Sequence, residues 1–368
     1  MFGLILISAA ALFQIYVTWR AASVPFLRQH KKTTLIAGFV LWSLLLIGRL
    51  WGHANDGAFA TFLDLFALTW MAVLVLLTVP LIAVDIATGF GSFVPRLAPS
   101  LRGAALVCGL VLTLISFVQG TRAPVVQNYE VELPGLPARL DGTVIIGLSD
   151  LHIGEALDGK WLAARVSQVR AERPDIILLL GDIFEGHSLP AREHIAELRN
   201  LQAPLGVWAV LGNHEFHGND DSIVPLFGEA GVTVLRNEKI VLRPGLTLAG
   251  VDDLTANRRS GLNTDLVRKT LATPSKDATI LLSHTPWSAD LAARAGAGLM
   301  LCGHTHGGQI WPFGYLVRLV YPLLAGRYDV EGMTVIVSRG AGTWGPRMRL
   351  WEPGEILRVT LRTKKKEV

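Results

Sequence analysis

The stretch Gly147-Leu-Ser-Asp-Leu-His-Ile-Gly154 decides the fold, because an apolar run from Thr143 to Leu148 ends there in chemically active side chains. A strand places alternate side chains on opposite faces, so Asp150 and His152 are predicted to leave the strand end on the same side. A carboxylate beside an imidazole suits a transition metal, and open α/β sheets carry their chemistry at this end of their strands. The stretch therefore predicts a pair of metal ligands at a sheet edge.

The chain after Pro124 alternates short apolar runs with turn residues and amphipathic segments. Ile176–Leu180 is wholly apolar and predicts a strand, whereas Trp161–Arg170 has apolar residues at helical spacing. A second helix is predicted at Arg192–Leu198, and further strands at Val207–Leu211, Leu246–Val251, Thr279–Ser283, Leu299–Cys302, Met333–Ser338 and Ile356–Leu361. Because strands and helices alternate early and strands dominate later, residues 122–368 are predicted to form an α/β domain with two packed sheets.

The first third of the chain is apolar. The whole chain of 368 residues is only 17% charged, whereas soluble domains are usually about 25% charged. Its mean hydropathy is +0.41, so much apolar sequence is available for contact with lipid. Four runs close to the ~20 residues that a membrane-crossing helix needs lie at Phe2–Trp19, Thr34–Leu50, Phe59–Val84 and Ala104–Gln119. A soluble bundle of buried helices is the weaker alternative, since charge is scarce in all four. Residues 1–121 are therefore predicted to be a four-helix transmembrane anchor. Asp85, at the end of the third run, is expected to reach the membrane interface, and Asp64 within that run gives no reason to infer a proton path.

The loops between these runs differ in charge. Basic residues in the first and third loops are Arg20, Arg28, Lys31, Lys32, Arg96 and Arg102. The positive-inside rule then places these loops in the cytoplasm and everything after residue 121 outside, by a margin of a few charges. The formal net charge of +4 is too small to indicate a nucleic-acid partner, and none is expected. Cys108 and Cys302 imply no disulfide framework, so they do not fix the redox compartment.

Five segments after apolar strands carry carboxylate, amide or imidazole groups. They are Asp150-Leu-His152, Gly181-Asp182, Gly212-Asn-His-Glu215, Ser283-His284 and Gly303-His-Thr-His306. Each is commonplace alone, since a histidine after a strand is more often structural and Gly-Asp is common in turns. Together, in this order, they form one motif hypothesis.

With these segments the chain resembles the calcineurin-like metallophosphoesterases, whose pattern is Asp-x-His, Gly-Asp, Gly-Asn-His-(Asp/Glu), His and Gly-His-x-His. The resemblance runs from Asp150 to His306 and implies a four-layer α/β/β/α sandwich. Gly303-His-Thr-His-Gly-Gly-Gln309 and Gly340-Ala-Gly-Thr-Trp-Gly345 are also similar to a subgroup of bacterial membrane-associated or exported members. Some of that subgroup hydrolyse the pyrophosphate of UDP-2,3-diacylglucosamine.

The resemblance implies two divalent metal ions. It assigns Asp150, His152 and His306 to one ion, Asn213, His284 and His304 to the other, and Asp182 as the bridging carboxylate. Two cations about 3.5–4 Å apart would activate a bridging water and clamp a phosphate. Mixed imidazole, carboxylate and amide ligation suits Mn, Fe or Zn, whereas Ca or Mg would want more oxygen ligands.

His214 is the candidate catalytic residue, because it stands beside a ligand without being required as one. It would contact phosphate and protonate the leaving group, which a nearby carboxylate would favour. Glu215 is expected to orient His214 or a ligand. Glu185 stands where the phosphoprotein-phosphatase branch carries an aspartate that pairs with the catalytic histidine. This departure argues against a protein phosphatase and leaves the partner of His214 open.

Three other features bear on substrate. His217 could line the pocket or lie on the surface. Arg349, shortly after the Gly340–Gly345 motif, could bind phosphate or form a surface ion pair. The segment Trp311–Leu324 follows the last motif directly and is rich in aromatic and aliphatic residues. It is either a hairpin folded onto the core or an amphipathic lip that meets the membrane interface and admits a lipid tail.

These inferences predict an integral membrane protein of the bacterial inner membrane with an extracytoplasmic catalytic domain. Its expected activity is that of a binuclear metal-dependent phosphodiesterase or pyrophosphatase, which hydrolyses a membrane or cell-envelope lipid by a metal-bridging hydroxide. If the domain faces the cytoplasm, hydrolysis of UDP-2,3-diacylglucosamine becomes the alternative. A non-catalytic receptor or scaffold would be favoured by loss of a ligand, and none is missing. A transporter finds little support in the helices. The expected partners are a lipid bilayer and a phosphoester, and the oligomeric state is left open.

Overall fold

The computed structural model describes residues 2–55, 57–154, 157–185, 192–217, 220–261 and 265–364. The chain divides into two compact units. The first comprises Met1–Thr121 and Gly345–Leu350, and the second comprises Arg122–Trp344 and Trp351–Val368.

The described part of the first unit is helical. Its α-helices are α1 (Phe2–Ala21), α2 (Pro25–Arg28), α3 (Lys31–Leu50), α4 (Ala58–Ala87) and α5 (Ala98–Gly120). Three helices, α3, α4 and α5, are long and apolar enough to cross a membrane. The apolar part of α1, Ile5–Ala21, is shorter. The prediction of apolar helices that could span a membrane is confirmed.

α4 lies at the centre of this unit. Its residues Leu74, Leu77 and Leu81 are buried in a cluster with Val17 of α1 and Leu45 of α3. Small residues let the helix backbones approach, as in other membrane helix pairs. At Gly48 of α3, a Cβ would lie 2.2 Å from the carbonyl oxygen of Leu63 in α4, so only glycine fits.

Both carboxylates of α4 have basic partners. Asp85 is fully buried and accepts hydrogen bonds from the Tyr16 hydroxyl at 2.6 Å and from Arg102 Nε at 2.9 Å. Arg20 Nε lies 2.6 Å from Oδ2, the oxygen that also accepts from Tyr16. At the opposite end of α4, Asp64 pairs with Arg49. Burial in an ion cluster, rather than access to the interface, therefore satisfies Asp85.

The second unit alternates strands and helices. In chain order its elements are β1 (Val125–Leu133), β2 (Val144–Leu148), α6 (Gly159–Ala171), β3 (Ile176–Leu180), α7 (Arg192–Leu198), β4 (Val207–Val210), α8 (Asp220–Glu229), β5 (Thr233–Val234), β6 (Glu238–Arg243), β7 (Leu246–Gly250), α9 (Leu254–Arg259), α10 (Leu266–Thr270), β8 (Ala278–Leu282), α11 (Ala289–Arg294), β9 (Leu299–Cys302), α12 (Phe313–Val320), β10 (Gly326–Val330), β11 (Met333–Val337) and β12 (Glu355–Thr363).

These strands form two six-stranded sheets, with orders β1-β12-β2-β3-β4-β5 and β10-β11-β9-β8-β7-β6. Residues from both sheets, such as Leu178 and Leu248, share one buried core. The first sheet packs its other face on helices through residues such as Val166, and the second does so through residues such as Val267. The order of the layers is therefore helix, sheet, sheet and helix, which confirms the predicted four-layer α/β/β/α class.

Candidate metal centre

The predicted ligands follow the carboxyl ends of parallel strands. β2, β3 and β4 are parallel neighbours in one sheet, and β8 and β9 are parallel neighbours in the other. The loops after these five strands carry Asp150 with His152, Asp182, Asn213, His284, and His304 with His306. Because such strand ends gather at one edge of each sheet, residues distant in sequence can converge there.

One cluster joins Asp150, His152 and His306, which are all buried. The Nε2 atoms of His152 and His306 lie 3.1 Å apart, and His306 Nε2 lies 3.3 Å from Asp150 Oδ1. Two imidazole nitrogens and a carboxylate oxygen therefore point at one small volume. A divalent cation would satisfy all three.

A second cluster joins Asp182, His284 and His304. His284 Nε2 lies 3.1 Å from Asp182 Oδ2 and 3.3 Å from His304 Nδ1. The outer nitrogens are engaged elsewhere, since His284 Nδ1 donates to the carbonyl oxygen of Leu180 at 2.8 Å and His304 Nε2 meets the Tyr321 hydroxyl at 2.8 Å. These bonds orient each ring and leave the inner nitrogen for a metal.

The carboxylate of Asp182 faces both clusters. Its Oδ2 lies 3.1 Å from His284 Nε2 and 4.0 Å from His152 Nε2. Its Oδ1 accepts a hydrogen bond from the backbone N–H of His214 at 2.8 Å. A carboxylate that contacts two metal ions would have to lie in such a position, within reach of both clusters.

The side chain of Asn213 gives a separate test of whether these residues suit a metal ion. Its side-chain oxygen is buried, and no hydrogen-bond partner for it occurs among the residues that the structure describes. Its chain neighbours on both sides touch Asp182: His214 donates to that carboxylate, and a Cβ at Gly212 would lie 2.2 Å from its Oδ1. A buried oxygen without a partner is rare and suits a cation ligand, so the donor set fits divalent metal.

The backbone at the ligands is unusual. The φ angles are 53° at Asp150, 47° at His152, 52° at Asp182, 73° at His304 and 51° at His306. Residues other than glycine rarely adopt this left-handed region, and such residues gather at functional sites. Asp150 and His152 do lie in one cluster, as expected, but β2 ends at Leu148, and left-handed backbone rather than strand alternation places them. His304 and His306, which are also two residues apart, enter different clusters.

Glu215 supports the backbone of the Asp182 loop. The side chain is buried, and one oxygen accepts from the N–H of Asp182 at 2.9 Å and of Gly212 at 2.7 Å. The other oxygen accepts from the N–H of Ile183 at 2.7 Å and of Phe184 at 3.0 Å. One carboxylate thus ties two ligand loops together, which sequence reasoning anticipated only as an orienting role.

Glu185 is the partner of His214 that the sequence left open. Its carboxylate lies 3.4 Å from His214 Nδ1 and 2.9 Å from His152 Nδ1. Burial opposes protonation of His214, but the carboxylates of Asp182 and Glu185 outweigh it and raise the pKa of His214 to about 9. Burial would raise the pKa of Glu185, yet the imidazoles of His152 and His214 hold it well below its usual range.

Two weaker candidates remain, His217 and Arg349. The backbone of His217 ends a short 3₁₀ turn, and its side chain lies outside the described residues. Arg349 belongs to the first unit, where its backbone N–H donates to the carbonyl of Ser116 at 3.0 Å. Its side chain is buried, so the alternative of a surface ion pair is wrong.

Two side chains that contact the proposed ligands were not predicted from the sequence. Ser149 Oγ donates to the carboxylate of Asp150, and Tyr321 meets His304. Ser149 lies within the first motif but carries no ligand pattern. Tyr321 lies in the aromatic segment that was noted only for its hydrophobicity, so the sequence contained no signal for either contact.

Comparison with known proteins defines the class. The family model for calcineurin-like phosphoesterases matches residues 143–308. An uncharacterized metallophosphoesterase of Campylobacter jejuni is 33% identical over 262 residues, which cover 71% of this chain and 69% of that protein. A metallophosphoesterase of Aquifex aeolicus is 35% identical over 246 residues, covering 65% of this chain and 92% of its own. The chain belongs to the calcineurin-like metallophosphoesterase family, as its motifs predicted.

Similarity to known proteins also bears on association with a membrane. A protein of Bos taurus described as a transmembrane protein with metallophosphoesterase domain is 32% identical over 272 residues, covering 70% of this chain and 61% of that protein. The chain thus spans less than two thirds of the bovine relative. Together with the three apolar helices, this likeness supports association with a membrane.

Proposed function

We propose that this chain is a membrane-anchored, metal-dependent phosphodiesterase or pyrophosphatase that hydrolyses a phosphoester of a membrane or cell-envelope lipid. The observation that carries the proposal is the two clusters, one around Asp150 and one around Asp182, with the Asp182 carboxylate within 4.0 Å of His152 as well as 3.1 Å from His284. Family membership supports phosphoester hydrolysis, and the apolar helices that could cross a membrane support a lipid substrate.

Two divalent ions, of Mn, Fe or Zn, fit the donor set. Asp150, His152 and His306 would hold one, Asn213, His284 and His304 the other, and Asp182 would contact both. When bound, such ions compensate the charge of a phosphate and acidify water. The protein fixes the geometry through the hydrogen bonds of the outer histidine nitrogens and through Glu215.

His214 is proposed to bind a phosphate oxygen and to deliver a proton to the leaving group. Its ring stands edge-on to His152 at 4.7 Å between centroids, beside but outside the two proposed ligand sets. Glu185 touches the outer nitrogen of His214 and so fixes the ring. A positioned, hydrogen-bonded imidazole of this kind suits general acid catalysis.

The catalytic domain is proposed to face outward from a bacterial inner membrane. Arg20 and Arg102 are buried partners of Asp85, so they contribute little free charge to their loops. Arg28, Lys31, Lys32 and Arg96 nevertheless remain exposed on the first and third loops. The bias that places these loops in the cytoplasm persists. Alkaline phosphatase and fluorescent-protein fusions at the C-terminus distinguish the two orientations, and a cytoplasmic result would favour UDP-2,3-diacylglucosamine as substrate.

Purified full-length protein in detergent provides the test of catalysis. We expect turnover of bis-p-nitrophenyl phosphate with added Mn²⁺, and none above background after chelation. Asp182→Asn should abolish it. Asp252→Asn is the matched control, because Asp252 also follows a strand but pairs with Arg236 at 3.0 Å. An undiminished rate in Asp182→Asn, or protein that takes up no metal at saturating Mn²⁺ and Zn²⁺, would overturn the proposal. A panel of envelope lipids and nucleotide sugars then identifies the substrate.

A further inference from the structure

Helix α12 presents an apolar face to solvent. None of its eight residues, Phe313–Val320, is buried. The exposed fractions are 81% for Leu319, 69% for Tyr315, 62% for Leu316 and 57% for Val320. At about 100° per residue, these four side chains form a continuous stripe about 140° wide. The segment is therefore not a hairpin folded onto the core, and no element in the described part of the second unit covers its apolar stripe.

The helix is nevertheless held firmly at its base, next to the metal-site residues. Tyr321, directly after α12, stacks on Trp287 with 5.2 Å between ring centroids and meets His304 at 2.8 Å. At the other end, Trp311 packs against the half-exposed Trp351 at 5.2 Å. A fixed helix with apolar residues outward and indole rings beside it matches the composition of elements that lie in a membrane interface.

Two observations identify the occupant of this face. α5 ends at Gly120 and β1 begins at Val125, so the connecting residues span at most about 14 Å. Helix α5 is one of those able to cross a membrane, and the second unit is therefore tethered at a lipid surface. Arg318 is exposed at the border of the apolar stripe, and no acidic side chain pairs with it in the described ranges. A cation there complements the phosphates of anionic lipids.

We propose that the α12 face formed by Tyr315, Leu316, Leu319 and Val320 docks into the surface of an anionic lipid bilayer. The docked helix brings the residues after the Gly-His-Thr-His motif to the headgroup layer. The inference depends on membrane association and not on turnover, so it can fail or succeed independently of the proposed catalysis.

Depth-dependent quenching tests the proposal on the full chain. Cys108 is exposed and is replaced by serine, whereas burial raises the pKa of the Cys302 thiol and protects it from labelling. A bimane label is placed at Leu319→Cys, with Val241→Cys as the control. Val241 is 64% exposed on β6, at the opposite edge of the sheet from β10. Each protein is reconstituted as one copy per nanodisc of phosphatidylethanolamine and phosphatidylglycerol, with plain or brominated acyl chains.

An interfacial helix sinks its apolar face about 5–10 Å into the headgroup and acyl boundary, so brominated lipid should remove about half of the fluorescence at position 319. The label at position 241 should lose little. Equal quenching at the two positions, or none at position 319, would overturn the proposal. A second set of discs is loaded with two copies of the chain. If position 319 is shielded only in that set, a second chain is the occupant, and docking on lipid is refuted. Hydrolysis of bis-p-nitrophenyl phosphate by the same samples reports separately on the proposed activity.

Discussion

Replacing Glu215 with glutamine is expected to loosen the loop that carries Asp182. The carboxylate accepts four backbone hydrogen bonds, two on each oxygen, at 2.7–3.0 Å. An amide keeps only one oxygen, so two of the four bonds survive whichever way it turns. Its NH₂ group then faces two N–H donors. The replacement changes one heavy atom, an oxygen to a nitrogen, and hardly alters the side-chain volume, but it removes two of the four hydrogen bonds.

The magnitude follows from the number of lost bonds. Burial and the charge of Asp182 raise the pKa of Glu215 to about 7, so the carboxylate is ionised when the assay is run at a pH well above that value. A hydrogen bond to a charged group then contributes about 1.5–3 kcal/mol, so two lost bonds amount to about 3–6 kcal/mol. That loss is a large fraction of the ~5–15 kcal/mol that keeps a protein folded. In a unit of this size, 1 kcal/mol moves the melting temperature by about 2–4 °C, and a decrease of at least about 6 °C is expected.

Thermal unfolding of the full chain in detergent, followed by tryptophan fluorescence, measures this shift. Glu193→Gln on α7 is the matched control, because the Glu193 side chain is 72% exposed and its replacement should change stability by less than about 0.5 kcal/mol. Manganese titration of both variants reports whether the Asp182 loop still binds metal. If the melting temperature of Glu215→Gln lies within about 2 °C of that of the wild type, the four hydrogen bonds of Glu215 contribute less to stability than expected, and the reasoning is refuted.

Three further replacements test separate parts of the chain. His214→Asn should lower kcat on bis-p-nitrophenyl phosphate by about 10²–10⁴-fold while bound metal, measured by mass spectrometry, stays unchanged; a parallel loss of metal would make His214 a ligand instead. Tyr321→Phe removes the hydroxyl that orients His304 and should weaken Mn²⁺ binding about 10–100-fold by calorimetry, whereas Tyr315→Phe should not. Asp85→Asn leaves two buried arginines without their carboxylate and should destabilise the helical unit by about 3–5 kcal/mol, so an unshifted thermal transition would argue against the buried ion cluster.

The interior of both sheets could be predicted from the sequence, and their edges could not. All predicted strands occur within two residues of their expected ends. The missed strands, β1, β5, β6 and β10, are the outermost members of the two sheets. Interior strands are buried on both faces and appear as apolar runs, as Ile176–Leu180 does. Edge strands alternate with polar residues or are very short, like Glu238–Arg243 and Thr233–Val234, so hydropathy alone does not reveal them.

Which side chains the two clusters bring together could be predicted from the motifs, but their backbone conformation could not. The order of the motifs predicted that Asp150, His152 and Asp182 would lie together. No local signal in the sequence, however, indicates a left-handed φ at a residue other than glycine. Tertiary hydrogen bonds hold that conformation: the N–H of Asp150 donates to the carbonyl of Gly181 at 3.0 Å, and the N–H of His152 donates to that of Asp182 at 3.0 Å. Because these bonds join loops far apart in sequence, the chain had to be folded before they could be recognised.

Mutual support between the motifs explains the residues in them that are not proposed ligands. Glu215 of the third motif holds the backbone of the second, and Gly212 lacks a side chain where the Asp182 carboxylate needs the space. The backbone N–H of His304 in the last motif donates to both oxygens of Asp150 in the first, at 3.1 Å. Each loop therefore depends on another for its conformation. A replacement at a residue such as Glu215 should impair metal binding without removing a ligand, since the clusters form only when these loops are fixed together.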